Sequence, residues 1–318
     1  MKKVYCIGEL LIDFVAENQG SDLSRAREFT KKAGGAPANV ACAISRLGGH
    51  SVFVGCVGED PFGVFLQQVL ERNQVDVRLL QQSETFTTLA FVSIAEDGER
   101  DFVFSRGADR ELTYLPKTKR GFKGNMVHLG AATALLGGPL EAAYSHYFFD
   151  ALTERAFISF DPNYRQDLWK RKEEVFRKKC MPFIEKADLC KFSLEEAQLL
   201  SGAFGLEEAC KQLHEIGTRM VVITLGSKGT YLSTGMYSAT IPSIAVDAVD
   251  TTGAGDAFIG CLLQQISTSP DPAGIGEDPQ AFSEMVRIAN AAGALTTTQF
   301  GAIDALPDQK QLKEALSR

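Results

Sequence analysis

Short apolar runs alternate with segments of helical period along most of this 318-residue chain. Six apolar runs have the length of buried strands, at residues 4–7, 52–57, 126–129, 157–160, 189–192 and 220–225. Helical spacing occurs between them, near residues 37–47, 62–73, 139–155, 171–186, 194–201 and 206–216. Because parallel strands are joined by crossovers that are usually helices, this alternation predicts an α/β fold. We expect a mainly parallel sheet with helices on both faces.

Two segments interrupt this alternation. Residues 86–105 hold two β-rich runs around Asp97-Gly98, and an Asp-Gly pair between such runs is a strong hairpin signal. Residues 14–33 lack helical periodicity. We therefore predict a small β lid made of residues 14–33 and 86–108, inserted in an α/β catalytic domain made of residues 1–13, 34–85 and 109–318. A decorative insertion is the alternative.

The bulk composition excludes some classes of function. The formal charge of −7 argues against a nucleic-acid partner. Apolar runs are too short for a membrane span, and the first residues lack the features of a signal peptide. The seven cysteines form no CxxC pair, which favours buried reduced thiols. These features predict a cytoplasmic protein with no membrane partner.

The stretch DTTGAGDAF, residues 250–258, places two glycines and two aspartates just before an apolar helical segment. Unpaired N–H groups and the helix dipole attract anions to a helix start, and glycine lets a ligand approach the backbone. Gly253, Ala254 and Gly255 therefore predict an anion hole before a helix that begins at about Asp256. Asp256 would accept the proton of an attacking hydroxyl. A simple helix cap is the alternative.

A second glycine-rich helix start occurs in AGGAPANVACAISRLGG, residues 33–49. Gly34 and Gly35 precede a helix with Pro37 in its first turn. Asn39 can both donate to and accept from a ligand hydroxyl. Asp13 follows a strand, a position that suits two neighbouring sugar hydroxyls. A tight turn and a surface aspartate are the alternatives.

Together, GGAPANVACAISRLGG and DTTGAGDAFIGCLL resemble two motifs of the ribokinase-like carbohydrate kinases, in matching order and separation. The segments GELLIDF, FDPNYR and GALTTTQFGAIDALP are similar to those of the fructokinases within that family. The resemblance covers nearly the whole chain. It implies a three-layer ribokinase-like core with a β lid, and ATP-dependent phosphoryl transfer to the hydroxymethyl group of a sugar.

The resemblance also implies a role for each matching residue. Asp256 matches the catalytic base, Gly253–Gly255 the anion hole, and Arg165 an arginine between the sugar and the transferred phosphate. The positions that match sugar-binding residues are Asp13, Gly34, Gly35 and Asn39. The positions that match nucleotide-binding residues are Lys191, Glu196, Thr224, Gly226, Gly229, Gly253, Gly255 and Asn290.

Metal sites and a partner are implied in the same way. Glu196 would hold Mg²⁺ through water, although Ser193 replaces the asparagine of the common Asn-x-x-Glu motif. A monovalent-cation site, for K⁺ in many relatives, corresponds to Asp250, Thr252, Thr296 and Gly301. Homodimers formed through the lid occur in the family, so we expect a homodimer here.

Several functions stay open from the sequence. A fructokinase would convert fructose and ATP into fructose 6-phosphate and ADP. A related kinase would act on 2-keto-3-deoxygluconate, ribose, a nucleoside or a sugar phosphate, and Arg106 and Arg165 are the candidate cations for a phosphorylated substrate. A catalytically silent binding protein should have lost Asp256 or the glycines, and both are intact. A dinucleotide-dependent oxidoreductase needs GxGxxG after the first strand, where this chain has GELLID.

Overall fold

A computed structural model describes residues 1–17, 23–94 and 100–317. Its strands are β1 (Lys3–Ile7), β2 (Leu11–Ala16), β3 (Phe29–Gly34), β4 (His50–Gly58), β5 (Asp76–Ser83), β6 (Leu89–Ile94), β7 (Arg100–Ser105), β8 (Met126–Gly130), β9 (Phe157–Asp161), β10 (Leu189–Ser193), β11 (Met220–Thr224), β12 (Thr230–Ser233) and β13 (Ser238–Ile241). Its helices are α1 (Ala36–Arg46), α2 (Pro61–Arg72), α3 (Lys119–Phe122), α4 (Gly138–Thr153), α5 (Gln166–Trp169), α6 (Glu173–Lys186), α7 (Leu194–Ser201), α8 (Leu206–Ile216), α9 (Ala254–Thr268), α10 (Pro279–Thr296) and α11 (Gln309–Leu316).

The larger sheet has nine strands in the described part of the chain, in the order β13-β12-β11-β10-β9-β8-β1-β4-β5. All neighbouring pairs from β11 to β5 are parallel, and only β12 and β13 are antiparallel. The six predicted strands are confirmed as β1, β4 and β8–β11. The sequence did not predict β5, because its partly exposed face gives no continuous apolar run.

Helices cover both faces of this sheet, as predicted. Two hydrophobic core clusters lie on opposite faces of the sheet. Successive residues of β1 point to opposite faces, so Val4 packs into one cluster and Tyr5 into the other. The first cluster is filled from α1, α9 and α10, and the second from α4, α6, α7 and α8. An α/β fold of three layers is therefore confirmed.

Helices α1 and α9 pack unusually closely. A Cβ added at Gly260 of α9 would lie 2.6 Å from the Cβ of Ala43 on α1, so only glycine fits at this crossing. The contact places the N-termini of both helices at the same edge of the sheet, beyond the carboxyl ends of β1, β9 and β10. This packing brings the two glycine-rich motifs together.

A second, four-stranded sheet has the order β3-β2-β6-β7. Strands β6 and β7 pair antiparallel, as the hairpin prediction required, whereas the predicted turn at Asp97-Gly98 lies outside the described residues. Aromatic rings of Phe14, Phe29 and Phe91 pack against one another on this sheet. The sheet comes mainly from the two segments assigned to a lid, and its action as a lid stays a prediction.

Two expectations from the composition can be compared with the structure. The seven cysteines are buried and free. Across residues 1–17, 23–94 and 100–317, no helix combines the length and the apolar character required to cross a membrane.

Candidate active site

Each of the two converging helices is preceded by a glycine that no other residue could replace without strain. Gly35 precedes α1 with φ 108°, and a Cβ there would lie 2.4 Å from the carbonyl oxygen of Glu9. Gly253 precedes α9 with φ 76°, and a Cβ there would lie 2.7 Å from the Cβ of Ala302. Helix α9 begins at Ala254, so Asp256 lies within its first turn rather than at its start.

Asp256 is the carboxylate that joins the two helix starts. Its Oδ2 accepts a hydrogen bond of 2.8 Å from Nδ2 of Asn39 on α1, and the residue is 7% exposed. Burial raises the pKa of Asp256 to about 6, against the opposing effects of Asn39 and Lys191. The carboxylate is therefore mainly ionised at neutral pH, and its pKa is close enough to neutrality for it to accept a proton.

Lys191 places a positive charge beside this carboxylate. Its Nζ lies 3.0 Å from Oδ2 of Asp161, and a Cβ added at Gly255 would lie 3.1 Å from the same Nζ. Burial by itself would lower the pKa of Lys191, but Asp161, Glu196 and Asp256 outweigh it and raise the pKa. A buried ammonium group thus faces the start of α9, where an anion would bind.

One N–H group of the predicted anion hole has an acceptor within the protein. The backbone N–H of Ala254 donates to the carbonyl of Thr251 at 3.3 Å, so this donor already has a protein acceptor. The first-turn N–H groups that follow have no acceptor within a regular helix. Gly255 and Asp256 are therefore better placed than Ala254 to donate to a bound anion.

A cavity of about 380 Å³ lies at this edge of the sheet. Ten predicted site residues line it, namely Asp13, Gly35, Asn39, Arg165, Lys191, Glu196, Thr252, Gly253, Gly255 and Asp256. Among the described residues that sequence reasoning missed, Glu9, Phe104, Thr133 and Asn163 also line it. The motif GELLIDF includes Glu9, but the sequence does not show that this side chain is turned inward.

Glu9 is a buried acid in the wall of the cavity. Its Oε1 accepts the backbone N–H of Ala36 at 3.1 Å, and its Oε2 lies 3.4 Å from the hydroxyl of Thr133. Burial raises the pKa of Glu9 to about 7, with a further upward contribution from Asp109. Both protonation states of Glu9 are therefore populated near neutral pH.

Gly34 supports the cavity without lining it. A Cβ at Gly34 would lie 2.0 Å from Oδ2 of Asp13, so the carboxylate packs directly against the backbone of β3. Replacement of Gly34 would push Asp13 out of place. Gly34 therefore acts on the site through the position of Asp13.

Four predicted nucleotide-binding residues lie outside this cavity. Gly226 and Gly229, with φ 60° and 96°, bound a tight turn between β11 and β12, next to Thr224 at the end of β11. Asn290 uses both ends of its amide within the protein, because Oδ1 accepts from Thr230 at 2.6 Å and Nδ2 donates to the carbonyl of Ile241 at 2.9 Å. Asn290 thus ties α10 to β12 and β13, and its place beside adenine stays a prediction.

Within the predicted monovalent-cation site, Asp250 connects two loops through hydrogen bonds to Thr252 and Gly301. Oδ1 of Asp250 accepts from the backbone N–H of Thr252 at 2.9 Å, and Oδ2 accepts from that of Gly301 at 2.9 Å. The hydroxyl of Thr296 donates to the carbonyl of Ala292. The Asp250 carboxylate therefore stabilises the approach to α9, whereas cation binding stays a prediction.

Ser193, which replaces the expected asparagine, begins α7 as a capping box. Its hydroxyl accepts from the N–H of Glu196 at 3.1 Å, and the Glu196 carboxylate accepts from the N–H of Ser193 at 2.7 Å. The other oxygen of Glu196 accepts from the N–H of Tyr164 at 2.7 Å. Glu196 therefore also holds the segment that carries Arg165 in the wall of the cavity.

Comparisons with known proteins agree with this geometry. The sequence profile described as pfkB family carbohydrate kinase matches residues 1–309. A probable fructokinase-2 of Arabidopsis thaliana is 39% identical over 311 residues, which cover 96% of this chain and 92% of the relative.

Two solved structures extend the agreement to the fold. A fructokinase of Xylella fastidiosa with bound ATP has a TM-score of 0.88 and 29% identity, covering 99% of this chain and 98% of the other. A fructokinase of Vibrio cholerae, bound to fructose, ADP and calcium ion, has a TM-score of 0.85 and 34% identity, covering 99% of each chain. The predicted family is confirmed, and this chain belongs to the pfkB family of carbohydrate kinases.

Proposed function

We propose that this chain is a fructokinase that transfers the γ-phosphoryl group of ATP to the 6-hydroxyl group of fructose. The O–H bond of the sugar breaks and its proton passes to Asp256. A new O–P bond forms, and the bond between the γ-phosphorus and the bridging oxygen breaks with its electron pair leaving on ADP. The products are fructose 6-phosphate and ADP.

The observation that carries this proposal is the pairing of Asn39 with Asp256. Nδ2 of Asn39 donates to Asp256, while Oδ1 of Asn39 is buried and has no hydrogen-bond partner among the described residues. A buried amide oxygen without a donor is costly, and a sugar hydroxyl would supply that donor. The same side chain would then hold the substrate beside its base.

The sugar and the phosphate would occupy opposite ends of the cavity. We assign the sugar to the part lined by Asp13, Gly35 and Asn39, which offers groups suited to hydroxyls. We assign the transferred phosphoryl group to the start of α9, near Gly255 and Lys191. Donors and a cation fixed at that point stabilise the charge of the transition state, which is the main requirement of phosphoryl transfer.

We propose that ATP binds as a magnesium complex and that Glu196 holds the ion through water. Mg²⁺ prefers phosphate oxygens, waters and one or two carboxylates to a cage of protein ligands. Glu196 lines the cavity and could supply one such carboxylate. When bound, Mg²⁺ would neutralise charge on the β- and γ-phosphates.

The four-stranded sheet would close over the sugar and associate with a second copy of the chain. Phe86 and Val103 are each 52% exposed, and Val103 lies on the edge strand β7. Exposed apolar residues on an edge strand favour pairing with another chain. We therefore propose a homodimer through this sheet. Light scattering should give twice the chain mass for wild type and the chain mass for Val103→Asp.

A panel of acceptors with ATP tests the proposed activity. ADP release would be measured with fructose, ribose, 2-keto-3-deoxygluconate, fructose 6-phosphate and a nucleoside. We expect the highest kcat/KM with fructose. Fast turnover of another acceptor without turnover of fructose would refute the substrate. A folded protein that binds ATP but phosphorylates no acceptor would instead support a silent binding protein.

A further inference from the structure

The cavity contains more acidic groups than available cations. Glu9, Asp13 and Asp256 line it, whereas the described lining residues include only two cations, Arg165 and Lys191. Lys191 is already paired with Asp161. Arg165 matches an arginine beside the transferred phosphate, so a sugar that itself carries a carboxylate or phosphate would need a further cation. Of the two candidates in the sequence, Arg106 and Arg165, this leaves Arg106.

Arg106 is held away from the cavity by a buried partner. Its Nη2 and Nε donate to Oδ2 of Asp109 at 2.8 and 3.2 Å, and the Asp109 side chain is fully buried. Two threonines fix the same carboxylate. Thr88 donates to Oδ1 at 2.5 Å, and Thr133, which lines the cavity, donates to Oδ2 at 2.9 Å. The charge of Arg106 is thus neutralised just behind the cavity wall.

Glu9 completes this wall. The hydroxyl of Thr133 has one hydrogen, and its shorter contact is with Asp109, at 2.9 Å against 3.4 Å to Glu9. A protonated Glu9 can donate to the Thr133 oxygen, and its raised pKa of about 7 permits that form. Glu9, Thr133 and Asp109 are then linked by hydrogen bonds. The negative charge in this group is on Asp109, which is paired with Arg106.

We propose that Asp109 is a specificity-determining residue, which sequesters Arg106 and thereby restricts the site to uncharged sugars. The proposal rests on the sugar-kinase function above. Arg165 and Lys191 would face the transferred phosphate, so an anionic sugar would lose its hydration beside Asp13 and Asp256 without gaining a cation of its own, which is strongly unfavourable. The hydroxyls of a neutral sugar can be satisfied by the same carboxylates.

The variant Asp109→Asn tests this directly, because it removes the negative charge and nearly preserves the shape. The guanidinium of Arg106 would become an unneutralised cation close to Thr133. We expect the ratio of kcat/KM for 2-keto-3-deoxygluconate to that for fructose to rise at least about tenfold, the effect of one charge-assisted hydrogen bond. The double variant Asp109→Asn/Arg106→Gln should lose this gain. Glu111→Gln, in the same short turn but partly exposed, is the matched control.

Both substrates are measured on one preparation, so partial misfolding does not alter the ratio. A folded Asp109→Asn with the wild-type ratio, or a double variant that keeps the gain, would overturn the proposal. Should Asp109→Asn not fold, Arg106→Gln gives a second test. We expect its KM for fructose to stay within about threefold of wild type, the range of an uninvolved residue. A tenfold increase would show that Arg106 contacts the sugar. Absence of fructose turnover in wild type would refute the proposed function instead.

Discussion

Replacing Asp256 with asparagine separates its role as a base in catalysis from the effect of its buried charge on folding stability. The side chain is 7% exposed and accepts a hydrogen bond of 2.8 Å from Asn39, which an amide oxygen can accept equally well. The variant should therefore fold with α9 in place. What it loses is the ability to take a proton, so we expect kcat to fall by about 10²- to 10⁴-fold.

The stability of the same variant should change in the opposite direction. Burial raises the pKa of Asp256 from 3.8 to about 6, so the folded state favours the neutral form. Its stabilising contribution is complete below pH 3.8 and is lost as the pH rises through about 6. Above that pH the ionised carboxylate costs the fold roughly 3 kcal/mol, and the neutral amide avoids this cost. Asp256→Asn should thus be at least as stable as wild type at pH 8.

Three measurements test these expectations. ADP release at saturating ATP and fructose gives kcat, and urea denaturation at pH 8 gives the free energy of unfolding. Wild-type kcat/KM should fall about tenfold per pH unit below about 6, since only the ionised form acts as base. Asp278→Asn is the control, because Asp278 is likewise a carboxylate near a helix start, that of α10, but lies outside the cavity. A nearly fully active Asp256→Asn, or one much less stable than wild type, would refute the reasoning.

Three further substitutions test the surroundings of this carboxylate. Asn39→Ala removes the donor that favours ionised Asp256, so the kinetic pKa in the pH dependence of kcat/KM should rise by about one unit or more; an unchanged pKa would contradict the assignment. The pKa of Glu9 rises from 4.5 to about 7 on folding, so the free energy of unfolding of wild type should decline by up to roughly 3 kcal/mol as the pH rises between these two values. Glu9→Gln removes this acid. Urea titrations at pH 5 and pH 8 should show this decline in wild type and a smaller one in the variant. Gly253→Ala should cost about 1–2 kcal/mol for its left-handed backbone, plus a clash with a neighbouring alanine, and should raise the KM for ATP. Gly124→Ala is the matched control, because Gly124 has a similar φ of 71°, has open space around it and lies outside the cavity, so it should show only the backbone cost.

Local patterns predicted much of this protein. The alternation of strand and helix periods was sufficient for the α/β fold and for the six central parallel strands, because a buried parallel strand reads as a continuous apolar run. The two glycine-rich motifs predicted both helix starts that form the site, since anion binding at a helix start requires specific residues at adjacent positions. These features are contained in short windows of sequence, and so is the resemblance to the family.

Contacts between distant residues required the tertiary structure. Asn39 and Asp256 are 217 positions apart, and their hydrogen bond exists because α1 and α9 cross at Gly260. Whether a polar residue is available to a ligand depends on its partners in the fold. The sequence offered Asn290 for the nucleotide and Arg106 for a phosphorylated sugar, and only the folded chain shows that each has protein partners, Thr230 for Asn290 and Asp109 for Arg106. A side chain contributes to binding with the groups that its own protein leaves unsatisfied, and only the packed structure determines which groups those are.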